Sequence, residues 1–381
     1  MRIIRATATI DWVVNQGSTM STSSIHVYIG AFTGNGRPDR GIYHCTLDLT
    51  SGRLSEPTLA ATAQDPSFLE LHPNGRFLYA AERGDRTGED VVSAFSITPG
   101  SGQLQRLNQQ PTGGHGACHV SVDSVGKNVL VANYSSGSAS AIPILNDGRL
   151  GKPTGFVQHE GSGPHASRQE GPHAHSINVS PDDRFAYVAD LGIYKIMIYR
   201  FDTSAGTLRP NDPAFASLAA GAGPRHLAFH PNARYAYVIN ELDGTITGFS
   251  YNSTTGALTP IETVSTLPDG FQGRNQCAEV RVHPAGTFLY GSNRGHDSIA
   301  MYRIDAGTGR LNLIGIHESD VAEPRNFNLD PSGTFCLVAN QNDDSIVVFR
   351  IDPAAGTLEP TEHRIAVEKP VCIRFSDSIP E

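Results

Sequence analysis

The sequence predicts an all-β protein, a seven-bladed β-propeller whose seventh blade is shared between N- and C-terminal strands. Three observations support this prediction. A strand–turn–strand phrase recurs about every 50 residues, the two ends of the chain carry complementary parts of that phrase, and the 381 residues include 39 Gly and 24 Pro. Such a composition suits many short strands separated by turns, and a fixed period of this length is typical of propeller blades.

The repeat joins an alternating strand, a turn rich in Pro, Asp and Gly, and a second strand that ends in Ala-Asn or a similar pair. Its clear copies begin at Pro66, Pro172, Pro224, Cys277 and Pro324, and a weaker one begins near Ala117. The turns fall near positions 73, 124, 181, 231, 284 and 331. The repeat therefore predicts six complete blades.

The two ends supply the seventh blade. The segment from Ile25 (IHVYIGAFTGN, then GIYHCTLDLTSGRLS) matches the later strands of a unit, and the tail from Pro370 (PVCIRFSD) matches the first strand. Pairing these segments would close the ring and remove the exposed edges of an open array. We expect residues 24–381 to form one domain, and residues 1–23 to be a disordered extension.

Charge and cysteine content narrow the classes of partner. The formal net charge of −9 argues against broad electrostatic binding to nucleic acid or to an anionic membrane. No segment reads as a signal peptide or a membrane span. The odd number of cysteines and the absence of a CxxC pair predict reduced thiols in a cytoplasmic protein. The five cysteines are Cys45, Cys118, Cys277, Cys336 and Cys372.

The repeat also predicts which residues meet at one end of the central channel. In a blade, the start of the innermost strand and the end of the antiparallel second strand lie at the same rim. The residue at the start of the innermost strand differs from blade to blade. Around the ring these residues are Ser67, Cys118, His175, Arg225, Ala278, Arg325 and Val371. The residues at the end of the second strand are Arg83, Tyr134, Leu191, Glu241, Arg294, Gln341 and Ala31.

This rim is predicted to gather four arginines, a histidine and a glutamate, with Arg225 directly opposite Glu241. Framework positions repeat while rim positions diverge, as expected of a site carried by a scaffold. The residues directly before the second set of rim positions include Asn240 and Asn293, which are candidate substrate ligands. An alternative interpretation is that these residues only satisfy backbone groups at strand ends, and that Arg225 and Glu241 form an ordinary ion pair.

Other motifs are weaker. The pairs His115–His119 and His173–His175 have the spacing of metal ligands on a strand, but no further ligand joins them convincingly, so we expect no metal. The chain has no G-x-S-x-G, no H-E-x-x-H and no P-loop. The His-rich connector, residues 158–172, is longer than its counterparts. We expect a flexible loop there, or one that overhangs the channel mouth.

The phrases GPHAHSINVSPDDRFAYVADLG, GAGPRHLAFHPNARYAYVINELDG and YGSNRGHDSI resemble the propeller-type 6-phosphogluconolactonase family, which includes carboxy-cis,cis-muconate cyclases. The resemblance extends from about Ile25 to the tail. It implies a cofactor-free enzyme acting on a small anionic lactone or its acid. The functional set that it implies contains His175, Glu241, Arg225 and a second arginine, best placed at Arg294 with Arg274 as the substitute.

The expected reaction is hydrolysis of 6-phosphogluconolactone. It needs a base to activate water, and the sequence does not decide between Glu241 and His175 for this role. It also needs cations to stabilise the oxyanion and to bind the phosphate. Arg225 and Arg294 are the candidates for these cations, with Arg83, Arg274 and Arg325 as further substrate ligands. Two alternatives remain open: cyclisation of a carboxymuconate, which needs the same polar groups, and a non-catalytic scaffold, although the chain lacks the GH…WD signature.

Overall fold

The computed structural model describes residues 24–34, 40–84 and 89–376, and these form strands without a helix. The predicted extension at residues 1–23 lies outside the described residues and stays a prediction. In the described part of the chain, the strands form seven four-stranded sheets, and all strand pairs are antiparallel. The same part contains no helix long and apolar enough to cross a membrane.

Six blades follow each other along the chain, each with its innermost strand first. Blade 1 contains β4 (Pro66–Leu71), β5 (Phe77–Glu82), β6 (Val91–Ile97) and β7 (Leu104–Pro111). Blade 2 contains β8 (Ala117–Val122), β9 (Asn128–Asn133), β10 (Ser138–Pro143) and β11 (Gly155–Gln158). Blade 3 contains β12 (Ala174–Val179), β13 (Phe185–Asp190), β14 (Lys195–Asp202) and β15 (Thr207–Ser217).

The second half of the ring repeats this order. Blade 4 contains β16 (Pro224–Phe229), β17 (Tyr235–Asn240), β18 (Thr245–Tyr251) and β19 (Leu258–Ser265). Blade 5 contains β20 (Gln276–Val282), β21 (Phe288–Arg294), β22 (Ser298–Ile304) and β23 (Leu311–His317). Blade 6 contains β24 (Pro324–Leu329), β25 (Phe335–Asn340), β26 (Ser345–Ile351) and β27 (Leu358–Ala366).

Blade 7 joins the two ends of the chain, as predicted. It contains β28 (Pro370–Ser376), β1 (Ser24–Ala31), β2 (Gly41–Asp48) and β3 (Thr58–Thr62). β28 pairs with β1 in a register that sets Val27 opposite Phe375 and Ile29 opposite Ile373. The prediction of a seven-bladed propeller with a shared seventh blade is confirmed.

The repeated framework residues hold neighbouring blades together. The second strand of each of blades 1–6 is buried along its whole length. Aromatic residues of one blade pack against apolar residues of the next, as Tyr187 of blade 3 and Phe249 of blade 4 do within one cluster. Buried tyrosine hydroxyls also donate to glycine carbonyls in turns of the next blade: Tyr79 to Gly148 (3.1 Å), Tyr187 to Gly256 (2.7 Å), Tyr237 to Gly309 (2.9 Å) and Tyr290 to Gly356 (3.0 Å).

A β-bulge at the start of the innermost strand directs side chains into the channel mouth. In blade 4, Pro224 pairs with Asn240 and His226 with Ile239, so Arg225 is the extra residue. The prediction that Arg225 lies directly opposite Glu241 is therefore wrong in register, because the period-2 alternation of a regular strand does not include a bulge. The shift recurs in blades 1, 2, 3 and 6, where the extra residues are Ser67, Cys118, His175 and Arg325.

Candidate active site

A polar cavity of about 260 Å³ opens at the predicted mouth of the channel. Four arginines line it, together with one glutamate and one histidine, and most of these residues come from the two rim columns. The lining residues are Arg83, Cys118, Tyr134, Arg168, His175, Glu241, Gln276, Arg294 and Arg325. Blades 1 to 6 and the connector all contribute, so the site belongs to the closed ring.

Glu241 lies at the centre of an ion-pair cluster. Its Oε2 accepts from Arg225 Nε at 3.0 Å and lies 3.0 Å from Arg294 Nη2, while its Oε1 accepts from Arg168 Nη2. Burial opposes ionisation of this carboxyl, but the guanidinium groups of Arg294 and Arg225 outweigh burial and hold its pKa well below the usual range. Glu241 is therefore an anion that orients three arginines.

Arg225 is enclosed by protein. Besides Glu241, it donates through Nη1 to the carbonyl of Ala278 at 2.7 Å, and the same nitrogen lies 3.2 Å from His226 Nε2. Burial and the charge of Arg294 lower the pKa of Arg225 to about 10, which leaves it protonated at neutral pH. Arg225 is not among the cavity-lining residues, so its contacts hold Glu241 and do not reach into the open space.

His175 adjoins the glutamate without a close hydrogen bond to it. Its Nε2 lies 3.9 Å from Glu241 Oε2, its side chain is 7% exposed, and its buried Nδ1 has no hydrogen-bond partner. The rings of Tyr134 and His226 approach it edge-on, each with a centroid separation of 5.3 Å. Burial, reinforced by the charge of Arg225, lowers the pKa of His175 well below 6.5. The imidazole is therefore neutral and available as a proton acceptor at neutral pH.

Three predicted substrate ligands do not reach the cavity lining. Arg274 is exposed and donates to Gln276 Oε1 at 3.3 Å. Asn240 donates to the hydroxyls of Thr245 (2.8 Å) and Thr247 (3.1 Å) in its own blade. Asn293 donates to Thr266 O (2.9 Å) and Ser298 Oγ (3.1 Å), and accepts from Thr266 Oγ1 (2.7 Å). Asn293 thus satisfies a backbone carbonyl, as the alternative interpretation expected, whereas Asn240 donates to side-chain hydroxyls.

The connector contributes the arginine that sequence reasoning missed. Arg168 contacts Glu241 and also donates to the hydroxyl of Tyr134 at 3.2 Å. The adjacent Gln169 is fully buried and donates to Leu191 O at 2.8 Å, while His159 Nδ1 lies 2.6 Å from Asp190 Oδ2. The connector is thus anchored over the mouth, as the second of the two expectations had it. Its unusual length was the signal available in the sequence.

The histidine pairs do not converge on a metal-binding geometry. His119 packs on the ring of Phe68 with a centroid separation of 4.1 Å, whereas His115 is exposed. Across residues 24–34, 40–84 and 89–376, no group of three or more His, Cys, Asp or Glu side chains is arranged to hold a metal ion.

Fold and site together define a seven-bladed propeller with an arginine-rich cavity at one end of its channel. A sequence model of the family described as "Lactonase, 7-bladed beta-propeller" matches residues 26–375, and the chain belongs to this family. A 6-phosphogluconolactonase of Bacillus subtilis is 37% identical over 91% of this chain and 97% of the relative.

Two further relatives agree with this assignment. A 6-phosphogluconolactonase of Formosa agariphila is 34% identical over 80% of this chain and 86% of the relative. Among solved structures, the periplasmic gluconolactonase of Pseudomonas aeruginosa superposes with a TM-score of 0.86 at 30% identity, covering 94% of this chain and all of that one.

Proposed function

We propose that this chain hydrolyses 6-phosphogluconolactone to 6-phosphogluconate without a cofactor. Family membership and the names of the Bacillus and Formosa relatives support the substrate class. The observation that carries the proposal is the charge of the cavity: four arginines against one carboxylate, beside one neutral imidazole. That arrangement suits an anionic substrate and supplies both a base and cations for a developing oxyanion.

We assign the proton transfers to His175 and not to Glu241. Both oxygens of Glu241 already accept from arginines, and its pKa is held low, whereas the imidazole of His175 is neutral and lines the cavity. In the proposed reaction, water attacks the lactone carbonyl carbon and gives a proton to His175. The imidazolium then lies beside Glu241, whose negative charge stabilises it.

Arginines complete the reaction. Arg294 lines the cavity and stabilises the tetrahedral oxyanion, while the buried Arg225 positions Glu241. Collapse of the intermediate breaks the bond from the carbonyl carbon to the ring oxygen, and the proton on His175 passes to that oxygen. The products are a hydroxyl group and a carboxylic acid, which ionises at neutral pH.

The test is hydrolysis of 6-phosphogluconolactone by the purified protein, corrected for spontaneous hydrolysis and repeated after dialysis against a strong chelator. We expect turnover in both cases, and a 10²- to 10⁴-fold lower kcat/KM in His175→Asn. His72, which caps a turn by contacting Gly126 O at 2.9 Å, is the matched control, and His72→Asn should retain activity.

Three outcomes would contradict the proposal. Turnover of 3-carboxymuconate alone would indicate the cyclase, and inactivity toward both compounds would indicate a scaffold. Activity lost to the chelator and restored by zinc or calcium would overturn the cofactor-free reaction.

We also propose a cytoplasmic location. All five cysteines are free and buried, which suits a reducing compartment. The name of the Pseudomonas relative places that protein in the periplasm, so the fold by itself does not fix the location. Fractionation of cells of the source organism, with detection of the native protein, tests this point, and recovery in the periplasm would contradict it.

A further inference from the structure

Two of the four cavity-lining arginines stack on one aromatic ring, whereas the other two contact the carboxylate of Glu241. The guanidinium carbons of Arg83 and Arg325 lie over the ring of Phe32, at 5.5 Å and 5.3 Å from its centroid. We call Arg83, Phe32 and Arg325 the arginine clamp. Stacking on a ring covers the apolar face of a guanidinium group and leaves its N–H edge available for an anion.

Ring closure positions the clamp. Phe32 directly follows β1 in blade 7, and its N–H donates to Lys369 O, next to β28, at 3.0 Å. The following residue, Thr33, donates through its N–H (2.7 Å) and its hydroxyl (3.0 Å) to Asp65 Oδ1. Arg83 follows β5 in blade 1, and Arg325 is the bulge residue of β24 in blade 6. Blade 7 therefore presents Phe32 to arginines from both of its neighbours.

The clamp arginines differ from the other arginines of the site in their partners. Arg168, Arg225 and Arg294 all contact Glu241, but Arg83 and Arg325 form no hydrogen bond or ion pair with the described residues. Burial, together with the charges of Arg225 and Arg294, lowers the pKa of Arg325 well below its ordinary value. An anion bound at this position would relieve that repulsion between like charges.

We propose that the arginine clamp binds the phosphate group of the sugar lactone, while the lactone ring faces His175 and Arg294. This inference rests on the proposed function and assigns the two ends of the substrate to two parts of one cavity. A phosphomonoester carries close to two negative charges at neutral pH, and two forked guanidinium groups match its charge and its acceptor oxygens. The arginines of the Glu241 cluster are already neutralised in part, so they compete less well for that dianion.

The test compares 6-phosphogluconolactone with unphosphorylated gluconolactone in the parent protein, Arg83→Gln and Arg325→Gln. We expect the ratio of kcat/KM for the phosphorylated over the unphosphorylated lactone to fall about 10- to 100-fold in each variant. Inhibition by inorganic phosphate should weaken in parallel. Arg303→Gln is the matched control, because Arg303 stacks on Phe288 at 4.8 Å on an exposed surface, and the control should keep the parental ratio.

A ratio that stays unchanged in both clamp variants would overturn the clamp's assignment to phosphate, even if activity on both substrates falls by the same factor. Calorimetric titration with inorganic phosphate separates this result from a failure of the proposed function. If the parent protein hydrolyses neither lactone but binds phosphate, and both clamp variants bind it at least 10-fold more weakly, the anion site stands and only the reaction is wrong. Phosphate affinity that is equal in parent and variants would contradict the site itself.

Discussion

Two layers of side chains fill the central channel, and they differ in how their charges are balanced. In the mouth, the four lining arginines face one carboxylate, Glu241. In the layer beneath, which we call the floor, Glu279 contacts His226 (3.1 Å), Asn326 (2.5 Å) and Arg281 (3.5 Å). Arg374, on the closing strand β28, pairs with Glu70 at 3.3 Å. Two carboxylates thus meet two arginines in the floor.

The floor is also closed by rings. Phe68, His119 and His226 contact one another with centroid separations of 4.1–5.6 Å, and Arg374 stacks on Phe68 at 4.5 Å. Burial lowers the pKa values of both histidines well below 6.5, so they are neutral members of the layer. A balanced, packed layer has no electrostatic need for a further ion. Among the residues that line the mouth, arginines outnumber carboxylates, and this difference supports our proposal that the substrate binds in the mouth.

The largest expected effect comes from removing the anion of each layer in turn. Glu241→Gln leaves three arginines without their shared carboxylate, so we expect a loss of about 3–5 kcal/mol in the free energy of unfolding. The kcat should also collapse, because the arginines lose their orientation. Urea unfolding and steady-state kinetics measure the two effects.

Glu279→Gln is the comparison in the floor. It should cost stability in the same range, but it should reduce kcat/KM much less than Glu241→Gln does. Equal loss of activity in the two variants would mean that the layers are not functionally distinct.

A smaller effect is expected where charge is kept and geometry is lost. Arg294→Lys retains the cation but not the planar set of donors, in which Nη2 lies 3.0 Å from Glu241 Oε2 and 3.2 Å from the carbonyl of Cys277, while Nε donates to Gln276 O at 3.3 Å. We expect kcat/KM to fall roughly 10- to 1000-fold, equivalent to about 1.4–4 kcal/mol of transition-state stabilisation. Arg281→Lys in the floor is the control and should remain near the parental value. Parental activity in Arg294→Lys would remove this residue from the reaction.

The smallest expected effect is on the pH profile. The lowered pKa of His175 means that the neutral, base-competent imidazole persists as pH falls through 6.5. The value of kcat/KM should therefore be flat between pH 6 and 8 and decline only at lower pH. Unphosphorylated gluconolactone is the substrate to use, because its rate contains no contribution from the titration of a phosphate near pH 6. An acidic limb centred near 6.5 would show that His175 does not titrate as a buried base.

The fold and most of the residues of the mouth were predictable from the sequence, because both follow from the repeat of about 50 residues. Each blade repeats the same framework, so the turns near residues 73 and 231 align and the rim residues follow from the alignment. The complementary ends beginning at Ile25 and Pro370 were enough to predict the shared blade. His175, Glu241 and Arg294 were found as divergences in otherwise repeated columns, and all three line the cavity.

Other features depend on contacts that cannot be read from the sequence repeat. The bulge that turns Arg225 toward Glu241 is a local shift of register, and Arg168 arrives on a connector outside the repeat. Phe32 acquires its two arginines only because blade 7 closes between blades 1 and 6. Asn240 is the last residue of β17 and donates to the threonines of its own blade, whereas Glu241 lies in the turn that follows and contacts the arginines. Repetition along the chain thus specified the scaffold, whereas the pairing of charges across the channel arose only when distant blades were brought together.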